Sequence, residues 1–153
     1  MPSEKDNLPN SPPLSSRRAS HGEWHSTIRI LLVDEHTIWR ESLRTMIEEC
    51  NYMEIVGEAS NGLEAVEEVA VSRPDVVVMD INMPVMNGIE ATERIKADFP
   101  DTAVIGLSVH REEDSIEQMR VAGISSYVTK GSSFDTLRQA IEEAASSHGR
   151  SRV

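Results

Sequence analysis

The sequence predicts an α/β protein in which five parallel strands form one sheet with helices on both faces. Two observations carry this expectation. Short β-branched apolar runs alternate, five times over, with stretches whose apolar residues recur at helical spacing. One of those runs, Val76-Val77-Val78-Met79, is apolar without a break, as a strand covered on both sides must be. Crossovers between parallel strands are right-handed, so five such units settle most naturally into the strand order 2-1-3-4-5.

Taken in order, residues 1–26 are rich in Pro, Ser, Asn and charge and nearly free of apolar side chains. They read as a disordered arm, because too little surface can be buried to offset the entropy of ordering it. Arg17-Arg18-Ala19-Ser20 has the form of a basophilic kinase site, but the match is short and a solvated tail is the better account of it. The ordered domain is expected over residues 27–147. Ile28 to Val33 is the first strand and ends in Asp34-Glu35. Ile38, Trp39, Leu43, Met46 and Ile47 then follow at helical spacing, with Trp39 read as a packing residue. Glu54 to Ala59 alternates as a strand nearer the edge does. Asn61 caps the next helix, Glu64 stands three residues on as a capping-box partner, and Leu63, Val66, Val69 and Ala70 form the expected buried stripe.

Pro74 stops that helix and the central strand runs into Asp80, after which Pro84, Asn87 and Gly88 force a loop. A helix with Ile89, Thr92 and Ile95 inward leads to the fourth strand, Ala103 to Ser108. Residues 112–121 make a short helix carrying Ile116 and Met119, which Gly123 closes. Ser125 to Thr129 is the fifth strand and runs into Lys130-Gly131. Ser133 caps the last helix, whose stripe is Phe134, Leu137, Ile141 and Ala144. Residues 148–153 read as a polar tail. The whole is a flavodoxin-like (βα)5 arrangement.

Composition narrows the function. A net charge of -11 argues against a general nucleic-acid binder, since phosphates call for Lys and Arg. It suits a metal cation or a basic protein surface. The single cysteine, Cys50, allows neither a disulfide within the chain nor a cysteine metal cluster. No apolar run approaches a membrane span and no secretory signal is evident, so a cytoplasmic location is the default.

In a parallel sheet the carboxyl ends of all strands meet on one rim, where open α/β sheets place their ligands. That rim receives Asp34 and Glu35, Asp80, Ser108 and Lys130. Each has a plainer reading: a helix cap, a turn former, a loop hydroxyl, a surface lysine. Their convergence on one rim is what points to chemistry. Clustered carboxylates raise one another's pKa unless a cation is present, and Mg²⁺ fits a site of one or two carboxylates plus waters. Lys130 and Ser108 suit the oxygens of a phosphoryl group, and Asp80 can act as the nucleophile that forms an acyl phosphate.

Asp34-Glu35, Met79-Asp80-Ile81-Asn82-Met83-Pro84 with Asn87-Gly88, Ser108, and Tyr127-Val128-Thr129-Lys130 together resemble the receiver domains of two-component response regulators. The resemblance covers residues 28–146. The wording around His36, Arg40-Glu41 and Lys130-Gly131-Ser132-Ser133 is most similar to receivers of NarL/FixJ-type transcription regulators. The resemblance implies that Asp80 takes a phosphoryl group from a sensor histidine kinase or phosphotransfer protein. It implies Mg²⁺ on Asp34, Asp80 and the Asn82 backbone carbonyl, with Glu35 close by, and Lys130 on the phosphoryl oxygens. Ser108 and Tyr127 would be the switch pair that remodels the surface of the fourth helix, fifth strand and fifth helix for partner binding or homodimerisation. The resemblance also implies that Asn82 and His110 occupy the variable positions that in the family tune the lifetime of the phosphoryl group. Gly131 departs from the Pro common after this lysine. No helix-turn-helix follows the last helix, so a stand-alone receiver or a fragment of a longer regulator is expected, binding no nucleic acid or membrane directly and turning over no substrate as an enzyme.

Three other classes remain. A phosphatase of the haloacid-dehalogenase type also uses an Asp at a strand end, but its usual second acid is replaced by Asn82. A flavin carrier would need a Ser/Thr-rich phosphate loop after the first strand. An interaction module not controlled by phosphorylation stays compatible with every residue named.

Overall fold

The structure is a computed structural model and describes residues 27–109 and 113–147. The expected arm, the polar tail, His110 and Glu112 lie outside the described residues. The elements alternate strictly: β1 (Ile28–Val33), α1 (Thr37–Glu48), β2 (Met53–Ala59), α2 (Gly62–Ser72), β3 (Val76–Asp80), α3 (Gly88–Asp98), β4 (Ala103–Ser108), α4 (Glu113–Ala122), β5 (Ser126–Thr129) and α5 (Phe134–Ser147). The strands form one parallel sheet in the order β2-β1-β3-β4-β5, the expected 2-1-3-4-5.

The central position of β3 follows from its side chains. All five of its residues are buried, as are all six of β4. Helices cover both faces and divide the core in two. One cluster joins Leu43 and Ile47 of α1 and Leu137 and Ile141 of α5 to Ile30, Val78 and Ile105. The other joins Ala65 and Val69 of α2 and Ala91 and Ile95 of α3 to Leu31, Val77 and Val104. Neighbouring strand residues thus point into opposite cores, as a period of two requires. Burying each of the Val, Leu and Ile side chains contributes roughly 1.5–3 kcal/mol. The edge strand β2 is half-exposed and carries an irregularity against β1 between Ile30 and Leu31.

The cap expected at Asn61 forms, and Asn87, read from the sequence as a loop residue, caps α3 as well. Asn61 Oδ1 accepts from the Glu64 N–H, and Asn87 Oδ1 from the Glu90 N–H. The Glu64 carboxylate reaches one residue past the cap, to the backbone N–H and hydroxyl of Ser60. The expected stripe of α2 is corrected. Leu63 and Ala70 are exposed, whereas Gly62, Ala65 and Val69 face inward. The reason is a close approach: the Gly62 N–H donates to the Met86 carbonyl at 2.8 Å, and a Cβ on Gly62 would stand 2.2 Å from that oxygen. That contact leaves no room for a side chain at position 62. Ile38 is likewise exposed, at the start of α1. No helix among the described residues is long and apolar enough to cross a membrane.

Candidate functional site

β1 and β3 are hydrogen-bonded neighbours, so the two acids just at and past their carboxyl ends meet. Asp34 and Asp80 are both buried, with 2% and 4% of their surface exposed. Such burial of carboxylates demands partners, and Lys130 is the principal one. It follows β5, two strands away from β3, and its Nζ lies 2.5 Å from Asp34 Oδ2 and 3.6 Å from Asp80 Oδ2. Its backbone N–H donates to the Ser108 carbonyl at 2.8 Å, which ties the lysine to the end of β4. Gly131 leaves the lysine directed at both acids, so the departure from Pro does not turn it away.

Each acid is also held by the chain that follows it. Asp34 Oδ1 accepts from the His36 N–H at 2.8 Å and lies 3.1 Å from His36 Nδ1. The Asp34 carbonyl accepts from the Arg40 guanidinium. Asp80 Oδ1 accepts from the Asn82 N–H at 3.2 Å. The loop after Asp80 is then drawn back tightly. The Gly88 N–H donates to the Ile81 carbonyl at 2.8 Å, and a Cβ on Gly88 would meet the Asp80 carbonyl oxygen at 2.3 Å. Only glycine lets α3 begin so close to the end of β3.

The charges do not balance within this pocket. Burial, and after it the neighbouring Asp34 carboxylate, push the Asp80 pKa up, and Lys130 only partly offsets them. Asp34, His36 and Asp80 each offer a ligand atom within 4.8 Å of the others. Two buried carboxylates with surplus negative charge are the donor chemistry that a hard divalent cation takes, and the cluster is consistent with a Mg²⁺ site. His36 is less suited to that ion, because Mg²⁺ prefers oxygen and the His36 backbone and ring already contact Asp34 Oδ1.

The structure brings together Asp34, Asp80 and Lys130, with Ser108 buried at the end of the adjoining strand. Glu35 is placed differently from the expected trio of acids. Its side chain is exposed, and its Oε2 lies 3.9 Å from His36 Nε2. Tyr127 lines a groove of about 240 Å³ with Ile116, Arg120 and Ile124. Sequence reasoning missed His36 as an orienting group. The available signal was its position two residues after Asp34, the spacing at which a backbone N–H returns to an Asp side chain.

Comparison with known proteins agrees with this fold. The family model described as the response regulator receiver domain matches residues 30–142. The chain is 34% identical over 114 residues to the response regulator GacA of Pseudomonas viridiflava, covering 74% of this chain and 53% of that protein. It is 36% identical over 118 residues to the transcriptional regulatory protein DegU of Brevibacillus brevis, covering 77% and 50%. It thus spans about half the length of these curated relatives. Among solved structures, a LuxR-family two-component response regulator from Aurantimonas superposes with a TM-score of 0.76 at 38% identity, covering 80% of this chain and 87% of that one. The receiver domain of a NarL regulator from Mycobacterium tuberculosis gives 0.75 at 26% identity, covering 79% and 98%.

Proposed function

Since the chain belongs to the response-regulator receiver-domain family of two-component systems, a signalling family rather than one of turnover enzymes, we propose that Asp80 is its phosphoacceptor. The observation that carries this reading is the Lys130 ammonium lying against both buried acids, 2.5 Å from Asp34 and 3.6 Å from Asp80. Transfer needs in-line placement and charge neutralisation more than covalent help. An Asp80 carboxylate oxygen attacks phosphorus, the donor's N–P bond breaks, and the phosphohistidine imidazole leaves and takes up a proton. The product is an aspartyl phosphate, and Lys130 neutralises its new oxygens.

Asp34, Asp80 and the Asn82 carbonyl would hold Mg²⁺, with Glu35 acting from outside through water. When bound, that ion supplies the positive charge the two acids leave unmatched. His36 and Arg40 orient Asp34 through the hydrogen bonds already described.

The signal leaves the site along β4 and β5. The Ser108 hydroxyl moves to the phosphoryl group and Tyr127 turns inward behind it, which remodels the α4-β5-α5 surface. The backbone bond from Lys130 to Ser108 and the position of Tyr127 in the groove beside α4 support this route. The output is partner binding or homodimerisation through that surface. The donor is a sensor histidine kinase or phosphotransfer protein in the cytoplasm. The relatives' names further suggest that this receiver governs a regulator of transcription, with DNA contact made outside residues 27–147.

Incubation with acetyl phosphate and Mg²⁺ tests the reading by phosphate-affinity electrophoresis. The wild type is expected to shift, and Asp80→Asn is not. A wild type that resists every small phosphodonor overturns it.

A further inference from the structure

We propose that Trp39 is a positioning residue for Lys130, holding the ammonium on its ring face so that it waits beside Asp80. The proposal rests on the reading of Lys130 given above and adds a residue to it.

Lys130 Nζ lies 5.2 Å from the centroid of the Trp39 ring, within the range where the negative face of an indole attracts a cation. The lysine is only 11% exposed, so water screens that attraction weakly. Asp34, Asp80 and the Trp39 ring together limit where the ammonium can go. A lysine is otherwise a flexible point charge, and it must be in place as charge develops on the phosphoryl oxygens.

Packing alone explains why Trp39 lies near the core, since it rests against the cluster that includes Leu43 and Leu137. Packing does not explain why the ring turns a face to the one ammonium of the site. Nor does a polar tie fix the ring. The buried indole N–H makes no hydrogen bond among the described residues. That gives a clean experiment, because Trp39→Phe removes no hydrogen bond and changes only the size and strength of the π face.

The full chain is produced in a Trp24→Phe background, which leaves Trp39 as the only tryptophan. Mono-, di- and trifluorotryptophan are then incorporated at Trp39. Fluorine drains the ring face while changing its volume little, so a purely packing role predicts no trend. Labelling by acetyl phosphate at saturating Mg²⁺ is expected to slow with each fluorine, roughly five-fold at the last, equivalent to about 1 kcal/mol. Trp39→Phe falls between the extremes and Trp39→Leu is slowest. Equal rates across the fluorine series overturn the proposal. A second readout stands apart from phosphorylation. The ε-methylene protons of Lys130 should resonate upfield from ring current in the parent protein and return to ordinary values in Trp39→Leu. If the parent fails to label at all, the function proposed above falls, and this shift alone decides whether Trp39 holds the lysine: ordinary values in the parent overturn that too.

Discussion

Two groupings of charge sit within a few residues of each other and solve opposite problems. On the outer side of β1, one acid meets two cations. Glu58 accepts from Arg40 Nε at 2.8 Å and from Arg44 Nε at 2.7 Å. Burial would raise its pKa, but the two guanidiniums outweigh burial and hold the carboxyl below its usual range. At the sheet's rim, two acids share one cation, and the Asp80 pKa goes up. The first grouping is complete in itself. The second is left with negative charge to spare, which a proton or a cation can match. Arg40 joins the two, since its guanidinium also donates to the Asp34 carbonyl. The saturated group holds its shape unaided, and the unsaturated one has the surplus charge of a cation site.

The largest effect should come from removing the shared cation. Lys130→Met strands two buried acids, and the expected loss is about 3 kcal/mol in urea unfolding at neutral pH. Millimolar Mg²⁺ should recover part of it. A loss unaffected by the ion would mean that the acids do not attract one.

Breaking the saturated group should cost less and ignore the metal. Glu58→Gln is expected to lose about 1 kcal/mol. Because folding lowers this pKa, the carboxylate's contribution is fully present above the ordinary glutamate value of about 4.3 and fades as pH falls through the lower folded value. The gap between wild type and Glu58→Gln should therefore close in acid, as followed by thermal melts.

Asp80→Asn should show the reverse sign. Folding raises the Asp80 pKa, so the protonated carboxyl suits the fold better than the charged one. The fold suffers no penalty below the ordinary aspartate value of about 3.9, and one sets in as pH rises through that value to the higher folded one. Without divalent ions, Asp80→Asn should melt above wild type at neutral pH. The difference should shrink in acid and on adding Mg²⁺. A variant that melts below wild type at neutral pH, ion-free, would refute the surplus-charge account.

Much of this was legible in the residues. An unbroken apolar run marked β3 as an interior strand, and the strand order followed from handedness. The gathering of Asp34, Asp80 and Lys130 followed from the order. What periodicity could not show was close approach. Leu63 outranks Gly62 on any hydrophobicity scale, yet the contact with the Met86 backbone leaves no room for a Cβ at position 62, and that face is the buried one. Composition could not say which of Glu35 and His36 would turn toward Asp34, because that depends on a backbone N–H returning to its side chain. Nor could it show that Trp39 would lie under Lys130, 91 positions later in the chain.

The smallest expected effect tests whether the turn after Lys130 merely tolerates glycine. Nothing lies within 4 Å of where a Cβ on Gly131 would stand, and its φ is not positive. Gly131→Ala should stabilise by about 0.5 kcal/mol through the unfolded chain and leave labelling unchanged. A fall in labelling would show that this turn must move for Lys130 to work.

The most direct measurement is borohydride trapping after exposure to acetyl phosphate, followed by peptide mass spectrometry. Reduction converts an aspartyl phosphate to homoserine and so records which carboxylate took the phosphoryl group. Homoserine is expected at position 80, and only when Mg²⁺ is present. Homoserine at another acid, or equal conversion with the ion chelated, would contradict the account.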